Sequence, residues 1–284
     1  MLSSNGSPLI MEPSTLPLLA AVLGACVGSF LQVVAFRLPR QESLIHPGSH
    51  CPHCDTPLAW FENVPVLGWL WLGGRCRTCR RSISPRYLLV ELLCAGLWVA
   101  MVFAQPAGLG PAPAAWMLVA AGWLLVSWLI PLVLVDLDAL WLPEPLCRWG
   151  LVLGLACTAV IGFSQGEEVG RALLFQHLLA AGIGLLGFEG TSALAERLLG
   201  RPALGLGDAK LAALLGAWLG PTGLGLAVAL AIGGGAVVGG LARLLGRLGP
   251  QQPFPFGPFL ACGGVLVWIG GHGLWLQLLG WPGP

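Results

Sequence analysis

Apolar runs long enough to cross a bilayer recur along the whole chain, and they leave little room for any other fold. A helix needs about 20 apolar residues to cover ~30 Å of hydrocarbon, because lipid offers no partner to an open backbone N–H or C=O. We expect spans at 16–36, 87–104, 114–135, 146–163, 172–194, 209–219, 222–245 and 259–279. The fold class expected is therefore an all-α polytopic membrane protein of about eight helices. Composition agrees: 56% of residues are hydrophobic and only 10% charged, against roughly 25% charged in soluble domains. That excludes a disulfide scaffold, a disordered chain and a water-soluble globule. The 42 glycines suit close helix contacts in lipid. A net charge of +1 supplies no field for a nucleic-acid partner. No basic residue precedes the first run, which is also longer than the core of a cleavable signal peptide, so we expect it to stay as a span.

Charge sets the topology. Arg37, Arg40, Arg75, Arg77, Arg80, Arg81 and Arg86, half of the 14 Lys and Arg, lie between the first two runs. The positive-inside rule makes that loop cytoplasmic. Alternating spans then bring Arg148, Arg197, Arg201, Lys210, Arg243 and Arg247 to the same side and leave Arg171 alone outside. The sixth run is too short to span alone, and an uncharged stretch joins it to the seventh. Fusing the two would move Arg243 and Arg247 outside. Gly220, Pro221 and Gly223 argue for a break there. Both termini are then external. Three segments follow: an outer tail with the first span (1–36), a cytoplasmic insertion (37–86) and a membrane domain (87–284).

The insertion holds two CxxC pairs, Cys51 with Cys54 and Cys76 with Cys79, separated by 21 residues. This is close to a zinc-site spacing. A two-residue spacer lets both sulfurs of a pair face one ion, and two pairs complete a tetrahedral S4 shell. Arg75, Arg77, Arg80 and Arg81 would offset the thiolate charge, and a cytosolic location argues against disulfides. A closed S4 site is structural, so we assign Zn2+ to folding the insertion. The other five cysteines sit in or beside apolar runs as small hydrophobes.

Asp136 and Asp138 end the third span, and Asp208 opens the sixth. Two crossings separate Asp136 from Asp208, so both face one compartment at similar depth. Carboxylates near lipid cost free energy unless solvated, paired or used. Two brought close share a proton, and the ionised member can take a proton from water while the protonated one hydrogen-bonds a scissile carbonyl. The bland alternative is that they mark wet helix ends, with Asp208 as a cap. Asp138 rivals Asp136, but the two point to different helix faces.

Five motifs in order carry a resemblance: GSFLQVVAFRLPR (28–40), FENVPVLGWLWLGGRCRTC (61–79), ISPRYLLVELL (83–93), GLGDAKL (205–211) and PFGPFLACGG (255–264). With the tetracysteine loop, the chain resembles the bacterial type IV prepilin peptidases, GxGD aspartyl proteases of pilus assembly and type II secretion. The resemblance implies that Asp136 and Asp208 are the catalytic pair and that Cys51, Cys54, Cys76 and Cys79 bind metal. It implies a substrate, the prepilin or pseudopilin precursor, whose basic leader is cut after a Gly on the cytoplasmic side of the inner membrane. It also implies methylation of the new N-terminal amine from S-adenosylmethionine. Gln32, Leu206, Ala209 and Glu144 depart from the usual residues without touching the pair. No Gly-rich nucleotide loop is visible, so the residues name no donor pocket. A peptidase without methyltransferase activity, a proton-coupled transporter and a scaffold docking partners through the zinc loop are the alternatives. Glu91 lies one turn inside the second span and invites pairing with Arg86 or Arg148. Trp60, Trp69, Trp71 and Trp141 read as interfacial anchors.

Overall fold

The computed structural model describes residues 15–104, 113–200, 205–247, 249, 254–278 and 280. The expected outer tail before residue 15 lies outside them, as does Arg201. The helices are α1 (Thr15–Arg37), α2 (Leu67–Trp71), α3 (Arg86–Phe103), α4 (Pro113–Ala139), α5 (Glu144–Ser164), α6 (Glu167–Leu199), α7 (Leu206–Leu244) and α8 (Gly257–Leu278). Among the described residues seven of these are long and apolar enough to cross a membrane, so the chain is a multi-pass membrane protein. The chain forms two compact units, one of Met1–Phe30 with Pro47–Phe103, the other of Leu31–His46 with Ala104–Pro284.

In the first unit, α1 and α3 pack through glycine. A Cβ on Gly24 would lie 2.9 Å from the Ala95 Cα, and one on Gly28 2.8 Å from the Cys94 Cβ. Bare backbone there lets the two helices approach to van der Waals contact, the main attraction left between helices in lipid. The segment between them folds on its own side chains. Glu62 accepts the Ala59 N–H at 2.7 Å and pairs with Arg77 at 3.2 Å. Val66 sits at φ 64° and ψ −55°, and the Leu67 N–H donates to the Pro65 carbonyl at 2.6 Å. This is a γ-turn of the rarer hand, centred on a β-branched residue, a strain of about 1–3 kcal/mol. Buried Glu91 holds it, accepting the Val66 N–H on Oε2 at 2.7 Å. That amide takes the place of the arginine partners anticipated for Glu91.

The second unit is built around α7, which is broken at Gly220 (φ 68°, ψ −177°). Its first half, 206–219, runs antiparallel to α6. Gly184 sits against Ala212, Gly216 against Ala180 and Gly220 against His177. Helix α8 reads the two halves in opposite senses. Gly257 and Gly264 lie against Leu211 and Leu215, whereas Gly263 and Phe259 lie against Ala227 and Gly234. The chain therefore reverses at Gly220, and α7 is a helical hairpin. This is the break expected from Gly220 and Pro221. The turn leaves the Ala217 carbonyl without its usual partner, because Pro221 has no N–H. His177 Nδ1 at 3.0 Å and Thr158 Oγ1 at 3.3 Å supply it. Indole rings fill the glycine notches of α5. Trp128 Nε1 donates to the Leu146 carbonyl and Trp218 Nε1 to that of Gly150. The first half of α7 has 14 residues, ~21 Å at 1.5 Å each, which is less than the hydrocarbon thickness. Asp208 thus begins a short span.

Candidate active site and metal centre

Asp136 occupies the last turn of α4 and is only 6% exposed, whereas Asp138, two residues on, is exposed. The two faces of the helix separate them as anticipated. Gly257, the first residue of α8, turns its backbone N–H toward the Asp136 carboxyl, so the partial positive charge of a helix N-terminus faces the anion. A Cβ at 257 would lie 2.6 Å from Asp136 Oδ2 and 3.2 Å from Cγ. Only glycine allows that approach. Oδ2 itself has no hydrogen-bond partner among the described residues. A buried carboxylate oxygen left open costs at least about 1–3 kcal/mol, and folds tolerate such an atom chiefly where it is used.

Asp208 is the third residue of α7 and half-buried. The Gly205 N–H donates to its Oδ2 at 3.3 Å, and the Asp208 N–H donates to the Gly205 carbonyl at 3.0 Å. Asp208 therefore does serve its helix end, but capping does not account for its neighbours. Gly207 presses against Leu142 of the α4–α5 loop, where a Cβ would come within 3.1 Å. Lys210 forms an ion pair with Glu144 at the start of α5. Glu144, a departure from the usual Asp, thus keeps its carboxylate in use. These ties hold the first turn of α7, which carries Asp208, against the loop and helix that follow Asp136 at the end of α4. Parity of crossings is legible in the sequence. Gly257 is the residue that sequence reasoning passed over. Its signal is the Gly-Pro step of PFGP, since Pro favours the first turn of a helix.

The tetracysteine insertion forms two matching turns. The Cys51 N–H donates to the Thr56 carbonyl at 3.0 Å and the Asp55 N–H to the Cys51 carbonyl at 2.9 Å. The Cys76 N–H donates to the Arg81 carbonyl at 2.9 Å and the Arg80 N–H to the Cys76 carbonyl at 3.0 Å. Asp55 (φ 52°) and Arg80 (φ 59°) turn left-handed at equivalent places, and antiparallel bridges His50–Pro57 and Arg75–Ser82 close each turn. All four Sγ atoms lie within 4.8 Å of one another. Cys51–Cys79 and Cys54–Cys76 are 3.8 and 3.9 Å apart. A tetrahedral S4 shell with Zn–S of 2.3 Å has an S···S edge of about 3.8 Å, so the donors fit zinc. Hydrogen bonds from Thr56, side chain first and then backbone, pull the Cys54 thiol down to about 6. The Cys79 and Thr78 backbone amides hold Cys76 low. The Arg81 amide favours a Cys79 thiolate, but burial and the surrounding thiols win and push it up to about 11. Four thiolates cannot ionise side by side without a cation among them. Arg77, expected to offset their charge, is engaged by Glu62 and lies over the Phe61 ring.

Fold and site together define a helical membrane protein with a buried, unpartnered Asp136 carboxyl at the end of α4, Asp208 in the first turn of α7 and a four-thiol centre in an insertion. Comparison with known proteins names the family. Residues 22–105 match the Bacterial Peptidase A24 N-terminal domain, and residues 123–240 match the Type IV leader peptidase family. A prepilin leader peptidase/N-methyltransferase of Myxococcus xanthus is 40% identical over 233 residues, covering 81% of this chain and 64% of that protein. One from Aeromonas hydrophila is 37% identical over 273 residues, covering 85% of this chain and 87% of that protein. An Escherichia coli protein described as a type 4 prepilin-like proteins leader peptide-processing enzyme is 34% identical over 271 residues, covering 89% and 93%. No solved structure matches the chain. The chain belongs to the type IV leader peptidase family.

Proposed function

We propose that this chain removes the leader peptide of type IV prepilins or pseudopilins at the cytoplasmic face of the bacterial inner membrane, with Asp136 and Asp208 as the catalytic pair, and methylates the amine it exposes. Family membership supports the peptidase and methyltransferase activities. The observation that carries the residue assignment is the open, buried Asp136 Oδ2, on the helix whose following loop packs against the first turn of α7, where Asp208 sits. Two carboxylates so placed hold one proton between them. The ionised member takes a proton from water, and the protonated member hydrogen-bonds the scissile carbonyl oxygen. Hydroxyl adds to the carbonyl carbon. A proton passed to the leaving nitrogen then lets the C–N bond break, giving a carboxyl terminus on the leader and a free amine on the mature protein. The substrate's apolar helix stays in lipid while its basic leader lies over the anionic leaflet.

When bound, S-adenosylmethionine supplies an electrophilic methyl group on sulfonium; we assign it no residues. Cys51, Cys54, Cys76 and Cys79 would hold Zn2+ in a closed shell that orders the insertion.

The test is leader cleavage of a prepilin in proteoliposomes. Asp136→Asn and Asp208→Asn keep side-chain volume and should each lower kcat by roughly 10²–10⁴-fold. Asp138→Asn should retain most activity. Full cleavage by either of the first two variants removes that residue from the pair.

A further inference from the structure

The segment between α1 and α3 exposes large apolar side chains beside the start of a membrane span. Helix α3 starts at Arg86 and has 18 residues, ~27 Å at 1.5 Å per residue. All of it is needed to approach ~30 Å of hydrocarbon. Glu91 lies five residues in, ~7 Å beyond the start of the helix. Its Oε2 accepts the Val66 N–H at 2.7 Å, so the γ-turn at Val66 is seated against the side of the span. Helix α2 begins with the next residue. It leaves Leu67 64%, Leu70 54% and Trp71 87% exposed, and Trp60 just before it is 82% exposed. The fold has buried the neighbouring positions: Gly68 packs so tightly that a Cβ would lie 2.2 Å from the Glu62 carbonyl oxygen. The outward residues are therefore those left over after the insertion has packed its own core.

Three further observations select the occupant. The insertion joins two membrane spans, so chain connectivity keeps it at a bilayer surface. Residues 47–86 carry Arg75, Arg77, Arg80, Arg81 and Arg86 against Asp55 and Glu62 only, a balance that favours an anionic surface. Tryptophan and leucine on a short helix beside such charge are the composition of an interfacial anchor.

We propose that α2 and Trp60 are embedded in the headgroup region of the leaflet that α1 and α3 enter, with anionic phospholipid as their partner. The insertion is then a membrane-surface element held at fixed depth by the Glu91–Val66 hydrogen bond. This reading rests on the membrane spans and not on the catalytic assignment.

The full chain with benzoylphenylalanine incorporated at position 71, and separately at 67, is reconstituted in vesicles of phosphatidylcholine and phosphatidylglycerol. Position 78, whose Thr is exposed beside the knuckle, is the aqueous control. After irradiation, intact-mass spectrometry reads phospholipid adducts. We expect adduct yields at 67 and 71 at least tenfold above that at 78, unchanged by added prepilin. Glu91→Leu, which frees the turn, should cut the yield at 71 severalfold. Yields at 67 and 71 no greater than at 78 overturn the proposal. So does a prepilin adduct that replaces the lipid adduct, which would make the patch a substrate surface. Position 67 gives the same reading independently should the probe at 71 prevent folding.

Discussion

Gly257→Ala is the sharpest probe of how the fold holds its carboxylate. The new methyl carbon would sit 2.6 Å from Asp136 Oδ2, about 1 Å inside an ordinary contact of ~3.5 Å. Neither side yields easily. Helix α8 is locked one turn on, where Leu260 is fully buried and a Cβ at Gly263 would already lie 2.4 Å from the Ala227 carbonyl oxygen. Asp136 is itself buried in the last turn of α4. The strain falls on the carboxyl torsion. Overpacking of this kind costs about 1–3 kcal/mol, and a carboxylate moved off its working geometry by that energy loses roughly 10- to 100-fold in kcat/KM. The assay is the initial rate of leader cleavage in proteoliposomes, with thermal unfolding measured on the same samples. Gly225→Ala is the control, because nothing lies within 4 Å of its new methyl; its rate should match the parent. Wild-type kcat/KM in Gly257→Ala would refute the claim that this glycine sets the Asp136 position.

Other outcomes follow from the same contacts. Thr158→Val removes one of two donors to the orphaned Ala217 carbonyl and should lower stability by about 1 kcal/mol, read as a fall in Tm with cleavage intact. Lys210→Met breaks an ion pair that is substantially exposed, so stability should change by no more than about 1 kcal/mol; a larger fall in Tm would mean the pair does more than tie α5 to α7. Cys76→Ser, or stripping metal with a chelator, should abolish bound zinc measured by atomic absorption and expose the insertion to protease while α4–α8 stay folded; unchanged proteolysis would show that the thiols do not order it. Gly216→Leu should prevent α6 from packing, since even a Cβ there lies 2.6 Å from the Ala180 backbone; a well-folded variant with parental Tm would contradict the close contact.

Chain order, span count and the CxxC knuckles are properties of local sequence, and they are legible because each depends on neighbours within a few residues. Twenty apolar residues in lipid must close their own hydrogen bonds, so length alone nominates a helix. Two thiols three positions apart meet by turn geometry, as Cys51 with Cys54 and Cys76 with Cys79 do. Even the break in α7 is written locally, in a Gly-Pro step that lacks an N–H. The same holds for the parity that sends Asp136 and Asp208 to one side.

What no window of sequence contains is the identity of contacts across helices. That Glu91 is taken by the Val66 amide rather than by arginine, that Arg77 answers Glu62, and that Gly257 lies against Asp136 all depend on which faces meet once the bundle packs. Period and hydropathy distinguish a lipid-facing residue poorly from a helix-facing one, because lipid and protein interior are equally apolar. Burial settles it, separating Asp136 from Asp138 two residues away. Composition and parity thus determined a multi-pass chain with its carboxylates on one side. Only packing, through backbone approaches that tolerate no side chain, decided which oxygen is left open.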